Sequence, residues 1–83
     1  MRMKLAGYPI VTVEWIDSTS RPGWNQVDRD AELRVVSVGA LIYSSKDRII
    51  ITKSVALGRP SEAQSFHSQM HIPRCAIRKI RYL

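Results

Sequence analysis

The sequence predicts an all-β fold: one small, strongly bent antiparallel sheet of five strands that closes into a barrel. Three observations predict it. Several stretches alternate apolar and polar residues with the period of two that a half-buried strand requires, and none sustains the period of a long helix. The end of the chain, Gln69 to Leu83, reads as a strand, a tight turn at Pro73-Arg74-Cys75-Ala76, and a second strand. Gly39 interrupts the longest alternating stretch, and a glycine inside a long strand marks a place where a sheet bends sharply.

The first predicted strand is Pro9 to Ile16, with Val11, Val13 and Trp15 on one face and Thr12 and Glu14 on the other. Asp17-Ser18-Thr19-Ser20-Arg21-Pro22-Gly23 is a run of turn-formers opening a loop that extends to about Glu32. Leu33 to Tyr43 is the second strand. Leu33, Val35 and Ser37 share a face before Gly39, and Leu41 and Tyr43 continue that parity after it. Ser44 to Asp47 is a hairpin loop, and Arg48 to Val55 is the third strand. Its Ile49, Ile50 and Ile51 put branched side chains on both faces, as a central or covered strand requires. Ala56 to Ser65 holds Gly58, Pro60 and a Ser61-Glu62-Ala63-Gln64 capping pattern, so it reads as loop with at most one helical turn. Phe66, Ser68, Met70 and Ile72 alternate against His67, Gln69 and His71 in the fourth strand, and Ile77 to Leu83 is the fifth.

A chain of 83 residues supports one core, so residues 1–83 are expected to be a single domain. That core is thin, and self-association into a homo-oligomer is the expected way to cover apolar surface. No apolar run approaches the ~18 residues of a membrane span, and the first ten residues do not resemble a signal peptide. The lone Cys75 has no internal disulfide partner, which points to a reducing cytoplasm. The net charge of +6 is unevenly placed. Residues 1–32 carry four bases and five acids, whereas residues 33–83 carry nine bases and two acids. A basic half attracts phosphate-bearing partners.

Catalytic and metal patterns are weak. His67 and His71 would share a face on a helix, but on a strand they lie roughly 13 Å apart, and no further ligands complete a tetrahedral set. Cys75 has Arg74 beside it and His71 near in sequence, yet a packed, inert thiol in the closing turn is the simpler reading. Asp17, Asp28, Asp30 and Glu32 fit turns and a solvated loop better than a magnesium site. There is no phosphate loop, nucleophile elbow or paired-cysteine motif. The chain is therefore expected to be no enzyme and to need no cofactor.

Aromatic residues beside bases are the sharper signal: Trp24 after Arg21, and Tyr43 near Lys46 and Arg48. Nucleobases stack on aromatic and guanidinium faces while lysine and arginine hold phosphates. Trp15 matches the apolar parity of its strand and is assigned to the core. Trp24 fits a lid over the open end of a barrel and a ligand platform equally well. The expected ligand-binding residues are Arg21 and Trp24 from the loop, with Arg74, Arg78, Lys79 and Arg81 supplying a phosphate field. The expected partner is a nucleotide signal or a single-stranded nucleic acid. The alternative is a protein-interaction module that docks through apolar edges and aromatics.

The strand-turn-strand ending and the bent second strand resemble the small-barrel superfold of Sm-like and SH3-like domains. In Sm-like rings the last two strands of neighbouring subunits pair edge to edge, and the corresponding strands here are Phe66–Ile72 and Ile77–Leu83. Val13 to Trp24, Ser37 to Ile42 and His71 to Ile77 are also similar to short phage and prophage proteins of unassigned function. That second resemblance implies a virus-encoded accessory protein acting in the host cytoplasm. Such proteins often counter host defence by binding something, and one version sequesters nucleotide second messengers.

Overall fold

The computed structural model describes residues 2–17, 33–59 and 63–83, and its described residues form strands throughout, with a single 3₁₀ turn and no α-helix. The strands are β1 (Lys4–Leu5), β2 (Tyr8–Asp17), β3 (Leu33–Ser44), β4 (Arg48–Thr52), β5 (Ser54–Ala56), β6 (Ser65–His67), β7 (Met70–Pro73) and β8 (Ile77–Tyr82), and the 3₁₀ turn is Arg74–Ala76. All pairings are antiparallel. Among the described residues no helix is long and apolar enough to cross a membrane.

β2 is the shared strand. One edge pairs with β3 from Ile10 opposite Ala40 to Asp17 opposite Leu33. The other edge pairs with β8 from Val11 opposite Tyr82 to Trp15 opposite Ile77. β1 continues that second edge: the Ile10 amide donates to Met3 O, the Leu83 amide to Ile10 O, and the Met3 amide to Leu83 O. The two ends of the chain therefore meet on β2, and the Arg2 guanidinium lies 5.0 Å from the Tyr82 ring centroid. β1 escapes detection in the sequence because two residues show no alternation. Its turn to β2 is made by Ala6 and Gly7, both at positive φ (51° and 87°), as a two-residue hairpin turn requires.

Across β3 the sheet runs on to β4 and then β7. β4 is central, and its Ile49, Ile50 and Ile51 are all buried, as three consecutive branched residues demand. Val11, Val13, Ile49, Ile51 and Ile72 form the core, with Trp15, Leu41, Ile77 and Ile80 packed against it. Each fully buried aliphatic contributes roughly 1.5–3 kcal/mol.

Besides the added β1, the structure departs from the five-strand expectation in two places. The stretches 48–55 and 66–72 are each broken, at Lys53 and at Ser68-Gln69, and the outer pieces β5 and β6 pair as a separate ladder. Ser68 adopts a left-handed φ of 58°. Thr52, only 1% exposed, donates through Oγ1 to His67 O at 2.6 Å and so ties the two breaks together. Phe66 then packs edge-on against Tyr8, with ring centroids 5.7 Å apart. The apolar alternation passes through Ser68 unchanged, which is why the sequence reads as one strand.

β7 and β8, at opposite sides of the strand order, are joined only by the 3₁₀ turn, and no ladder between them closes the sheet among the described residues. Gly39 lies within an unbroken β3 and is not at positive φ. What it supplies is room, since a Cβ there would sit 2.9 Å from Thr52 O and 3.3 Å from Ile51 Cβ. The irregular point of β3 is Ile42, where the register slips between Leu41 and Tyr43. Tyr43 therefore faces the outer side with Ile50, not the inner side with Leu41 as simple parity implied.

Gly39→Ala should lower stability by about 1–3 kcal/mol, because its methyl group meets backbone that cannot step aside. Thermal unfolding measures this, and an unchanged melting temperature would show that β4 does not approach β3 so closely.

Candidate anion-binding surface

The basic strand β8 reads Ile77-Arg78-Lys79-Ile80-Arg81-Tyr82. Its two isoleucines are three apart, which a regular strand would put on opposite faces. Both are half-buried against the core because the register shifts here: Trp15 faces Ile77 and Glu14 faces Lys79, leaving Arg78 as the extra residue of a bulge. Beyond the bulge, Lys79 and Arg81 stand on the outer face opposite Glu14 and Thr12, and both are exposed. Arg78 is turned back at the bulge, where Nη1 donates to Cys75 O at 3.1 Å. It also borders a shallow recess of about 100 Å³ with Glu14, Trp15, Arg34 and Val36, where the edge of β2 runs past the end of β8. One carboxylate and two guanidiniums therefore meet at that recess.

Arg74 is differently employed. Its Nε donates to Ser45 O at 2.9 Å, its Nη2 to Ser44 Oγ at 2.7 Å, and its amide to Asp47 O at 2.9 Å. These bonds clamp the 3₁₀ turn to the β3–β4 loop, so Arg74 holds the sheet's corner together and is separated in role from Lys79 and Arg81. Arg21 and Trp24 lie outside the described residues, as do Asp28, Asp30 and Glu32. The structure thus groups Arg78, Lys79 and Arg81 on one strand and sets Arg74 at the corner.

Trp15 is half-buried against the core, and its Nε1 donates to Ser37 Oγ at 3.0 Å, as a structural indole would. Cys75 corrects the expectation of a packed thiol, for it is exposed. With about three residues per turn, the short 3₁₀ segment turns one side chain inward; the half-buried Ala76 takes that place. His67 and His71 are both exposed on different strands, β6 and β7, and among the described residues no group of three His, Cys, Asp or Glu could hold a metal ion. The outer face of β3 is a further candidate surface. Val36 and Val38 lie there at 66% and 55% exposure, across from Glu14 and Thr12. Their alternation with Val35 and Ser37 signals a strand but not which face remains bare.

The chain matches no protein-family model, no curated protein and no solved structure. The chemistry of the surface rests on its own residues: exposed cations on the edge strand β8 and, across β2 from them, two bare valines on β3.

Arg74→Ala should cost about 1–2 kcal/mol through loss of charge-assisted hydrogen bonds, visible as a lower melting temperature. Lys79→Ala and Arg81→Ala should each stay within about 0.5 kcal/mol of the parent. Equal melting temperatures for all three would mean the Arg74 clamp does not form. Cys75 should react with a thiol reagent in the native protein at a rate close to that in denaturant, and a protected thiol would contradict its exposure.

Proposed function

We propose that the chain is a non-enzymatic binding protein that holds or sequesters a phosphate-bearing ligand, a nucleotide second messenger or a single-stranded nucleic acid. The observation that carries this reading is the placement of charge. The described residues contain eleven bases against three acids, and Arg78, Lys79 and Arg81 follow one another on an exposed edge strand. Phosphates are held by such side chains as point charges and forks. Arg21 and Trp24 belong to the proposal as the loop's contribution, and Arg74 as the residue that keeps the adjoining corner in place.

The architecture we propose is the SH3-like or Sm-like small barrel. The strand order β8-β2-β3-β4-β7, with a single 3₁₀ turn linking the last two strands, supports that reading. The outer edges of β7 and β8 have no strand partner among the described residues, which supports a homo-oligomer joined through them. The resemblance to phage and prophage proteins supports a virus-encoded accessory role in the host cytoplasm, countering host defence by removing a signal or binding a strand.

A second reading is a protein-docking module, favoured by the exposed Val36 and Val38. Salt separates the two. Fluorescence anisotropy with a labelled oligothymidine should show affinity falling steeply as salt rises. A Lys79→Ala/Arg81→Ala double variant should flatten the log–log slope by about 1.4, given ~0.7 per single-strand phosphate contact. Absence of binding, or affinity indifferent to salt and to both substitutions, would favour docking through the valines.

A further inference from the structure

The slip in register at Ile42 has a chemical consequence on the opposite side of the sheet from the core. It puts Tyr43 on the outer face, 46% exposed, with the Arg48 guanidinium 5.5 Å from its ring centroid. Ile50 lies directly across from Tyr43 on β4, and His71 directly across from Ile50 on β7. Three strands thus set a row of Tyr43, Ile50 and His71 on one face, with both rings exposed and Ile50 only 9% exposed between them. The flanking strands stand roughly 9.5 Å apart, twice the spacing of neighbouring strands.

Charge completes the row. Lys46 and Arg48 belong to the adjoining hairpin and are exposed, and Asp47 is the one acid beside them. The hairpin is held still: Ser45 Oγ accepts from the Asp47 and Arg48 amides at 3.2 Å each, and Arg74 grips Ser44 and Ser45 from the 3₁₀ turn. A guanidinium already over a tyrosine ring loses little further freedom when a planar group stacks on its outer side.

We propose that Tyr43, Arg48 and His71 form a stacking site for a nucleobase, with Arg48 and Lys46 holding the phosphate attached to it. The inference rests on the phosphate-ligand reading and adds a base-recognition locus at the β3–β4–β7 side, apart from the β8 cations. A planar aromatic group with a phosphate is the chemistry required, and a free nucleotide or one unit of a single strand both provide it. Arg74 is a positioning residue in this site.

The test uses the full chain and two labelled strands of equal length, oligothymidine and its abasic counterpart, in fluorescence anisotropy. The parent protein should bind the base-containing strand more tightly, and Tyr43→Leu should weaken that strand about five- to a hundredfold while leaving the abasic strand unchanged. Circular dichroism melting of Y43L and of a second variant, Arg48→Gln, keeps a folding defect distinguishable from a lost contact. Competition by thymidine monophosphate at micromolar concentration would identify a free nucleotide as the source, and competition by strand alone a nucleic acid. Equal binding of both strands by the parent, or unchanged preference in a folded Y43L, would overturn the stacking site and leave the phosphate reading standing. Binding of neither strand nor of thymidine monophosphate would overturn both.

Discussion

The pairing of β8 with the second edge of β2 is the constraint on which the rest depends. β2 supplies Val11 and Val13 to the centre of the core, and a strand so buried has to satisfy its backbone groups on both edges. β3 does this on one side, while β8 and the short β1 share the other. That arrangement brings the two ends of the chain together, and it commits the most basic of the described strands to a position beside the core. A strand in that position must turn isoleucines inward and cations outward, and Ile77-Arg78-Lys79-Ile80-Arg81 does so only by letting Arg78 bulge.

The same device acts on β3. There the slip at Ile42 keeps Leu41 against the core and releases Tyr43 to the outer face, where Arg48 covers it. In both cases one surplus residue re-aims every side chain beyond it, because side chains alternate with a period of two. The residues to which the proposed binding is assigned lie next to the irregularities: Lys79 and Arg81 after one, Tyr43 and Arg48 after the other. The regular ladders between them set spacing, and the Arg74 clamp holds the corner at which the 3₁₀ turn meets the β3–β4 loop.

Much of the fold was legible. Clean alternation from Val11 to Trp15 located β2 and its inward face, the triple isoleucine marked β4 as a central or covered strand, and Pro73-Arg74-Cys75-Ala76 located the turn before β8. What was not legible shares a physical reason. A bulge or a strand break changes backbone geometry without changing composition, so Ser68 sat silently within an unbroken alternation and Ile42 looked like one more strand residue. The three-residue spacing of Ile77 and Ile80 was the one available hint of a bulge. Cys75 is exposed, against the expectation that a small residue in a closing turn is packed, because so short a turn brings only its last member, the half-buried Ala76, toward the core. The basic strand was located correctly from sequence; of the remaining candidates, Arg74 proved to be engaged with the β3–β4 loop, while Arg21 and Trp24 fall outside the described residues.

The register of β8 is the point at which the account is most exposed, since a slip of one residue would turn Lys79 and Arg81 inward and the isoleucines out. Cross-strand backbone contacts between β2 and β8, measured as nuclear Overhauser effects in solution, test it directly. The account predicts contacts joining Val13 to Ile80, Glu14 to Lys79 and Trp15 to Ile77, with Arg78 lacking a partner of its own. A continuous ladder that pairs Glu14 with Arg78, Val13 with Lys79 and Thr12 with Ile80 would contradict it, because it turns Lys79 and Arg81 inward and removes the outward-facing cations on which the proposed binding surface is built.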